Sequence, residues 1–154
     1  MSIWRSPLSV AQINEMNKGT LAERLGIVFT EIGADFLRGT MPVDTRTKQP
    51  YGLLHGGASV ALAETLGSLG ATLCVDRKTF LCVGQEINAN HVRPARKGMV
   101  TGTARDVHLG ARSQVWTIEI VNEAHQLVCT SRLTVAVIRG GALAAERTPN
   151  SPAT

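Results

Sequence analysis

The stretch LLHGGASVALAETLGSLGATLC, residues 53–74, decides the fold. Leu62, Leu66, Leu69 and Leu73 recur at helical spacing and form one apolar stripe. Another face carries Gly57, Val60, Ala61, Glu64, Gly67, Ser68 and Ala71, nearly all of them small. The pattern predicts one helix from Leu53 to about Cys74. A glycine inside a helix costs about 1 kcal/mol relative to alanine. Gly56, Gly57, Gly67 and Gly70 therefore call for something that approaches the helix backbone closely: a sheet, a second subunit or a ligand.

Upstream of this helix, Ser9-Val-Ala-Gln12 is a capping box, with Leu8 and Ile13 placed as a hydrophobic staple. It predicts a short helix that Gly19 ends. Thr20-Leu-Ala-Glu23 repeats the device, and Gly26 closes a second one-turn helix. Ile27 to Ile32 are β-formers, Gly33-Ala34-Asp35 marks a turn, and Phe36 to Val43 alternates, so a hairpin is expected. Asp44 to Gly52 reads as a loop. Downstream, an Asp76-Arg77-Lys78 turn leads into four strand-like segments near 80–93, 98–107, 113–122 and 127–138. Pro94 to Gly98, Leu109-Gly110 and Asn122-Glu123 separate them. Residues 139–154 hold little to bury and predict a flexible tail behind a single domain, 1–138. Hairpin, long helix and four further strands make an α+β layer arrangement. One helix covers a six-stranded sheet poorly, which predicts a homo-oligomer.

The chain has 154 residues, 44% of them hydrophobic and 18% charged, which fits one soluble globular domain. No apolar run is long enough to span a bilayer. Met1 to Asn17 lacks the basic start, apolar centre and cleavage site of a signal peptide, so a cytoplasmic location is expected, with no membrane partner. Cys74, Cys82 and Cys129 sit in apolar stretches without CxxC spacing and read as buried thiols. His55, His91, His108 and His125 are too scattered for a metal motif, and no metal is expected. The net charge of +4 is dispersed except around 93–112, and there are only six aromatics, so a small anionic ligand fits better than nucleic acid.

Glu64 stands out chemically. Most helix glutamates are solvated surface charges. This one has Ala, Gly and Val as neighbours on its face, a poor setting for such a charge and a common one for a functional carboxylate. At the helix start, open N–H groups at Gly56 and Gly57, together with the helix dipole, are suited to polarising a carbonyl. Close helix packing is the other reading of the two glycines. Ser68 lies one turn beyond Glu64, on the same face.

Three blocks carry a family resemblance: Val43-Asp-Thr-Arg-Thr-Lys-Gln-Pro-Tyr-Gly-Leu-Leu-His-Gly-Gly-Ala-Ser-Val-Ala-Leu-Ala-Glu64, Gly84-Gln-Glu-Ile-Asn-Ala-Asn-His-Val-Arg93 and His108-Leu-Gly-Ala-Arg-Ser-Gln-Val-Trp116. Together they resemble the hotdog-fold acyl-CoA thioesterases over about residues 3–138. The nearest branch is the bacterial aroyl-CoA type, which includes the dihydroxynaphthoyl-CoA thioesterases. The spacing from His-Gly-Gly to Glu occurs across many hotdog enzymes, whereas the three blocks together are specific to this branch.

The resemblance implies an antiparallel sheet of about six strands wrapped around one long central helix. It also implies dimers that share a continuous sheet, a dimer of dimers, and active sites at the dimer interface. By the same likeness Glu64 is the nucleophile or general base of thioester hydrolysis, and Gly56 supplies an N–H for the oxyanion. Gln49 and His55 orient the substrate, and Ser68 helps hold the attacking water or the carboxylate. CoA contacts fall to Gly57, Gly84, His91, Val92, Arg93, Pro94, His108, Leu109, Gly110, Ala111, Arg112 and Ser113, with Pro94 and Ala111 contributing through backbone. Arg96 and Lys97 extend the basic cluster. CoA enters as part of the substrate, and no separate cofactor is expected. Met41, Val60, Phe80 and Val83 are candidates for setting the width of the acyl pocket. The expected reaction converts an aromatic or bulky acyl-CoA to the acid and free CoA. The competing readings are a hotdog dehydratase or hydratase on acyl thioesters, and a non-catalytic acyl-CoA binding protein.

Overall fold

The computed structural model describes residues 2–140. Its elements in order are α1 (Val10–Met16), α2 (Leu21–Arg24), β1 (Val28–Ile32), β2 (Phe36–Pro42), α3 (Gly56–Leu73), β3 (Phe80–His91), β4 (Met99–Leu109), β5 (Ser113–Asn122) and β6 (Leu127–Arg139). The expected tail over 139–154 lies outside the described residues except for two positions. Arg139 ends β6, and the Gly140 N–H donates to the Thr79 carbonyl at 2.9 Å.

The first capping box forms as expected: the Ser9 hydroxyl accepts the Gln12 N–H and the Gln12 side chain accepts the Ser9 N–H. The second does not form, although α2 does. The Thr20 hydroxyl turns back to donate to the Asn17 carbonyl at 2.6 Å, and the Glu23 carboxylate accepts the Gly19 N–H at 2.7 Å. Gly19, at φ 74°, has already turned the chain by then, so the hydroxyl joins the Thr20 N–H on the Asn17 carbonyl at the end of α1.

All strand pairs are antiparallel, in the order β1-β2-β4-β5-β6-β3. After α3 the chain is carried to the far edge as β3, and β4 then returns to pair with β2. The helix lies across the face so enclosed, against β2, β3, β4, β5 and β6. This is the α+β hotdog fold: one long helix in a six-stranded antiparallel wrap.

The sheet itself accounts for the inner glycines of α3. A Cβ on Gly67 would come within 2.7 Å of Leu133 Cδ2, and one on Gly70 within 2.8 Å of the Trp116 ring. Trp116 is fully buried and donates its Nε1–H to Gln114 Oε1 at 3.0 Å, so its ring is held in place. Of the three causes that the sequence leaves open, packing on the sheet is the one that holds at these two positions. Met41 is fully buried beneath the helix, so it belongs to the core and not to a wall of an acyl pocket.

The two sheet edges differ. At β1, the Asn14 side-chain amide donates to the Phe29 carbonyl and accepts the Phe29 N–H, both at 2.9 Å, which satisfies the outward backbone groups there. At β3, Val83 to Glu86 are exposed along the outer edge. The β1 edge is capped at Phe29 by its own chain, whereas no such cap lies on β3 at Val83 to Glu86 among the described residues.

Candidate active site

The loop before α3 is ordered by its own backbone. Thr47 is buried and its hydroxyl donates to the Pro42 carbonyl at 2.7 Å. Lys48 bridges to Leu54, and the Gln49 N–H donates to the Leu53 carbonyl at 2.8 Å. This frame presents Gln49. Its Oε1 accepts the Tyr51 N–H at 2.6 Å, so the amide NH₂ is the end left to face a ligand.

His55 is the N-cap of α3, and its Nδ1 accepts the Gly57 N–H at 2.8 Å. The bond places the ring proton on Nε2, which is then a donor. It also corrects the expectation of two open N–H groups at the helix start. Gly57 is satisfied by His55, and Ala58 and Ser59 donate to the His55 carbonyl, at 3.0 and 3.2 Å. Among the described residues the Gly56 N–H has no partner, so it is the open donor at the positive end of α3.

A cleft of about 360 Å³ opens at this point, lined by Gln49, Gly56 and the segment His91 to Pro94, with Leu54 and Ser59 in its wall. The Leu54 N–H donates to the Ala95 carbonyl at 2.8 Å, which ties the helix-start loop to the basic segment. His91 packs on Gly56 itself: a Cβ there would come within 2.8 Å of His91 Nε2. The openness of Gly56 thus admits an imidazole of the same chain. Arg93 is partly engaged, donating from Nη1 to the Leu127 carbonyl at 2.7 Å. Ser59, 1% exposed, is a cleft residue that sequence reasoning missed. Its position one turn into α3 was the available signal.

Glu64 is half-buried on the face of α3 that looks toward β3. Its carboxylate takes part in none of the ion pairs among the described residues, and Gly84 lies directly against its Oε1. Ser68 is also half-buried, but its hydroxyl makes no hydrogen bond to Glu64 among the described residues. Among the described residues this carboxylate has no hydrogen-bond or ion-pair partner.

The third block lies elsewhere. Leu109, Gly110 and Ala111 line a separate cavity of about 450 Å³ with Arg5, Cys74 and Phe80. The Gly110 N–H closes the turn onto the Ser113 carbonyl at 2.9 Å and is not a free donor, and His108 packs against Gly110. Cys74 is not a nucleophile there, since burial pushes its thiol up to about 12.

Register fixes how far apart these pieces are. Ser113 is level with Ala136 and Val83, whereas Ile120 is level with Cys129 and His91. His91 and the 108–113 turn are therefore separated by the run of β5 from Ser113 to Ile120, roughly 23 Å at the rise of an extended strand. One chain brings together Gln49, His55, Gly56 and His91 to Pro94, and places Glu64 with Gly84. It does not bring the 108–113 turn to that cleft.

Comparison with known proteins identifies the family. A family model described as the thioesterase superfamily matches residues 51–129. The chain is 52% identical over 136 residues to the 1,4-dihydroxy-2-naphthoyl-CoA hydrolase of Escherichia coli K12, covering 88% of this chain and 99% of that one. It is 49% identical to the proofreading thioesterase EntH of Cronobacter sakazakii, covering 88% and 98%. A crystal structure of a variant of the thioesterase PA1618 from Pseudomonas aeruginosa superposes with a TM-score of 0.89 at 46% identity, covering 90% of this chain and all of that one. With a family match across the helix, the next three strands and the start of β6, and relatives aligned nearly end to end, the chain belongs to the thioesterase superfamily.

Proposed function

We propose that this thioester hydrolase acts on an aromatic or otherwise bulky acyl-CoA, of the 1,4-dihydroxy-2-naphthoyl-CoA or benzoyl-CoA type, with Glu64 as the catalytic carboxylate. The observation that carries the reading is the Glu64 carboxylate itself, half-buried, unpaired among the described residues and facing β3. The name of the Escherichia coli relative motivates the acyl class.

In the proposed reaction the Gly56 N–H of a second copy of the chain binds the thioester oxygen as negative charge develops on it, because within one chain about 12 Å of α3 separates Gly56 from Glu64. Gln49 NH₂ and His55 Nε2–H orient the acyl group. Water adds to the carbonyl carbon while Glu64 takes its proton. The tetrahedral intermediate then expels CoA as the carbon–sulfur bond breaks, and the sulfur takes up a proton. Direct attack by Glu64 would instead form an anhydride, which water opens to regenerate the carboxylate. Either route needs only this side chain and water, without a cofactor. The His91-to-Pro94 segment and the 108–113 turn are read as holding the CoA phosphates.

Two features support a second copy of the chain as part of the site. The β3 edge lacks the cap that Asn14 places on β1 at Phe29. The two CoA segments are also too far apart to grip one ligand within a single chain. Pairing of β3 with a second β3 would continue the sheet, and two such dimers would make a tetramer. No helix among the described residues is long and apolar enough to cross a membrane, and a cytoplasmic location is part of the proposal.

The test is a thiol-release screen across aromatic, short-chain and long-chain acyl-CoAs and acyl-carrier-protein thioesters. Aromatic acyl-CoAs are expected to turn over fastest. Water addition to an enoyl-CoA without thiol release would instead favour a hydratase, and tight binding without release a binding protein.

A further inference from the structure

We infer that Gly84 is a positioning residue for Glu64: the side chain it lacks is the space in which the carboxylate rests. A Cβ on Gly84 would fall well inside contact distance of Glu64 Oε1 and 3.4 Å from its Cδ, with Leu133 Cδ1 next at 3.7 Å. At Gly67, Gly70 and Gly102 the nearest atoms are core carbons of Leu133, Trp116 and Leu66. Those glycines make room for the fold, whereas Gly84 makes room for a carboxylate oxygen.

The strand is built to place a gap at this point. Directly opposed residues of an antiparallel pair point to the same face. Cys82 opposes buried Val137 and Gly84 opposes buried Val135, so both positions face the helix. Strict alternation would next turn Glu86 inward. Instead the register shifts between Gly84 and Glu86, and Ile87 opposes buried Leu133. The extra residue, Gln85, makes a β-bulge, a device common beside active sites that re-aims the side chains around it. Here the bulge keeps a second carboxylate off the helix-facing side and leaves Glu64 alone against glycine. This role is distinct from a contact of Gly84 with CoA, and it rests on Glu64 being the catalytic carboxylate.

A double-mutant cycle tests it, with thiol release from benzoyl-CoA, or from whichever aromatic acyl-CoA the enzyme turns over fastest, as the readout. Gly84→Ala pushes the carboxylate away by about an ångström, and misplacement on that scale can cost about 10²-fold in rate. The expected result is a kcat lower by that order with KM changed less than about twofold. Glu64→Asp withdraws the carboxylate by one methylene, so Gly84→Ala in that background should cost less than about threefold. The proposal is overturned if the alanine costs the same factor in both backgrounds, leaves kcat unchanged, or raises KM alone, which would make Gly84 a CoA contact only. If Gly84→Ala fails to fold, the double variant, relieved of the conflict, must fold, and its failure also overturns the proposal. Full activity in Glu64→Gln would remove the reading beneath it, an outcome separate from any result with Gly84.

Discussion

His55 Nδ1 accepts the Gly57 N–H at 2.8 Å, so a single imidazole both closes the start of α3 and leaves its Nε2–H for the site. The two roles separate by substitution. His55→Ala loses the cap and should cost about 1 kcal/mol of stability as well as activity. His55→Asn restores the cap with a side-chain oxygen but lacks the Nε2–H. Thermal unfolding should return toward the wild-type value for asparagine while kcat stays low. Recovery of both would mean that capping is the only role of His55.

Gly70 lies under the Trp116 ring, whose Cη2 and Cζ3 are 2.8 Å from the position of the absent Cβ. Alanine gains about 1 kcal/mol in helix propensity, while overpacking costs about 1–3 kcal/mol. Trp116 is fully buried and tied to Gln114, so overpacking wins. Gly70→Ala should lower stability by about 1 kcal/mol, read by urea unfolding with an unchanged slope. A stabilised variant would show that the ring moves freely.

Val83 on the β3 edge and Val28 on β1 are similarly exposed, 45% and 47%. Lysine on an edge strand discourages pairing with another chain. Val83→Lys should shift the protein toward monomer in light scattering and lower kcat at least about tenfold, whereas Val28→Lys should leave assembly intact. The opposite pattern would place the subunit contact at β1.

Burial pushes the Cys74 thiol up to about 12 and the Cys82 thiol up to about 11, and it raises Cys129 as well. All three should be inert to Ellman's reagent at pH 8 until the protein is unfolded. Each folded value lies above the ordinary thiol value of 9.0, so the folded state holds these protons more tightly. The contribution is intact below pH 9 and declines as pH rises toward 11–12. The melting temperature should fall across that window, and less steeply in Cys74→Ala. An equal slope in both proteins would show that Cys74 does not drive the loss.

Much of the fold is legible because its signals are local. The leucine stripe and the box at Ser9 specify α3 and α1 within a residue or three. The turns at Gly33, Pro94 and Asn122 bound the strands. Strand order is not local: nothing in residues 80–91 says that β3 lies at the far edge, beside β6. The glycines of α3 look alike in sequence, yet Gly70 serves Trp116 and Gly56 serves His91, partners distant along the chain. The site shows the same limit. Glu64 is legible as a charge among small residues. The use of the Gly57 N–H by His55, and the distance between His91 and the 108–113 turn, follow only from side-chain direction and register. Thr20 misleads for a related reason, because the preceding Gly19 turn offers its hydroxyl a carbonyl.

The most direct test of Glu64 as the catalytic carboxylate is the single-turnover rate of thiol release by Glu64→Gln, measured beside its unfolding temperature. Glutamine keeps the shape and removes the base. The account predicts an unfolding temperature within a few degrees of wild type and a rate lower by about 10³-fold or more, at the upper part of what general-base catalysis contributes. A folded Glu64→Gln enzyme that releases CoA within about fivefold of the wild-type rate would contradict it.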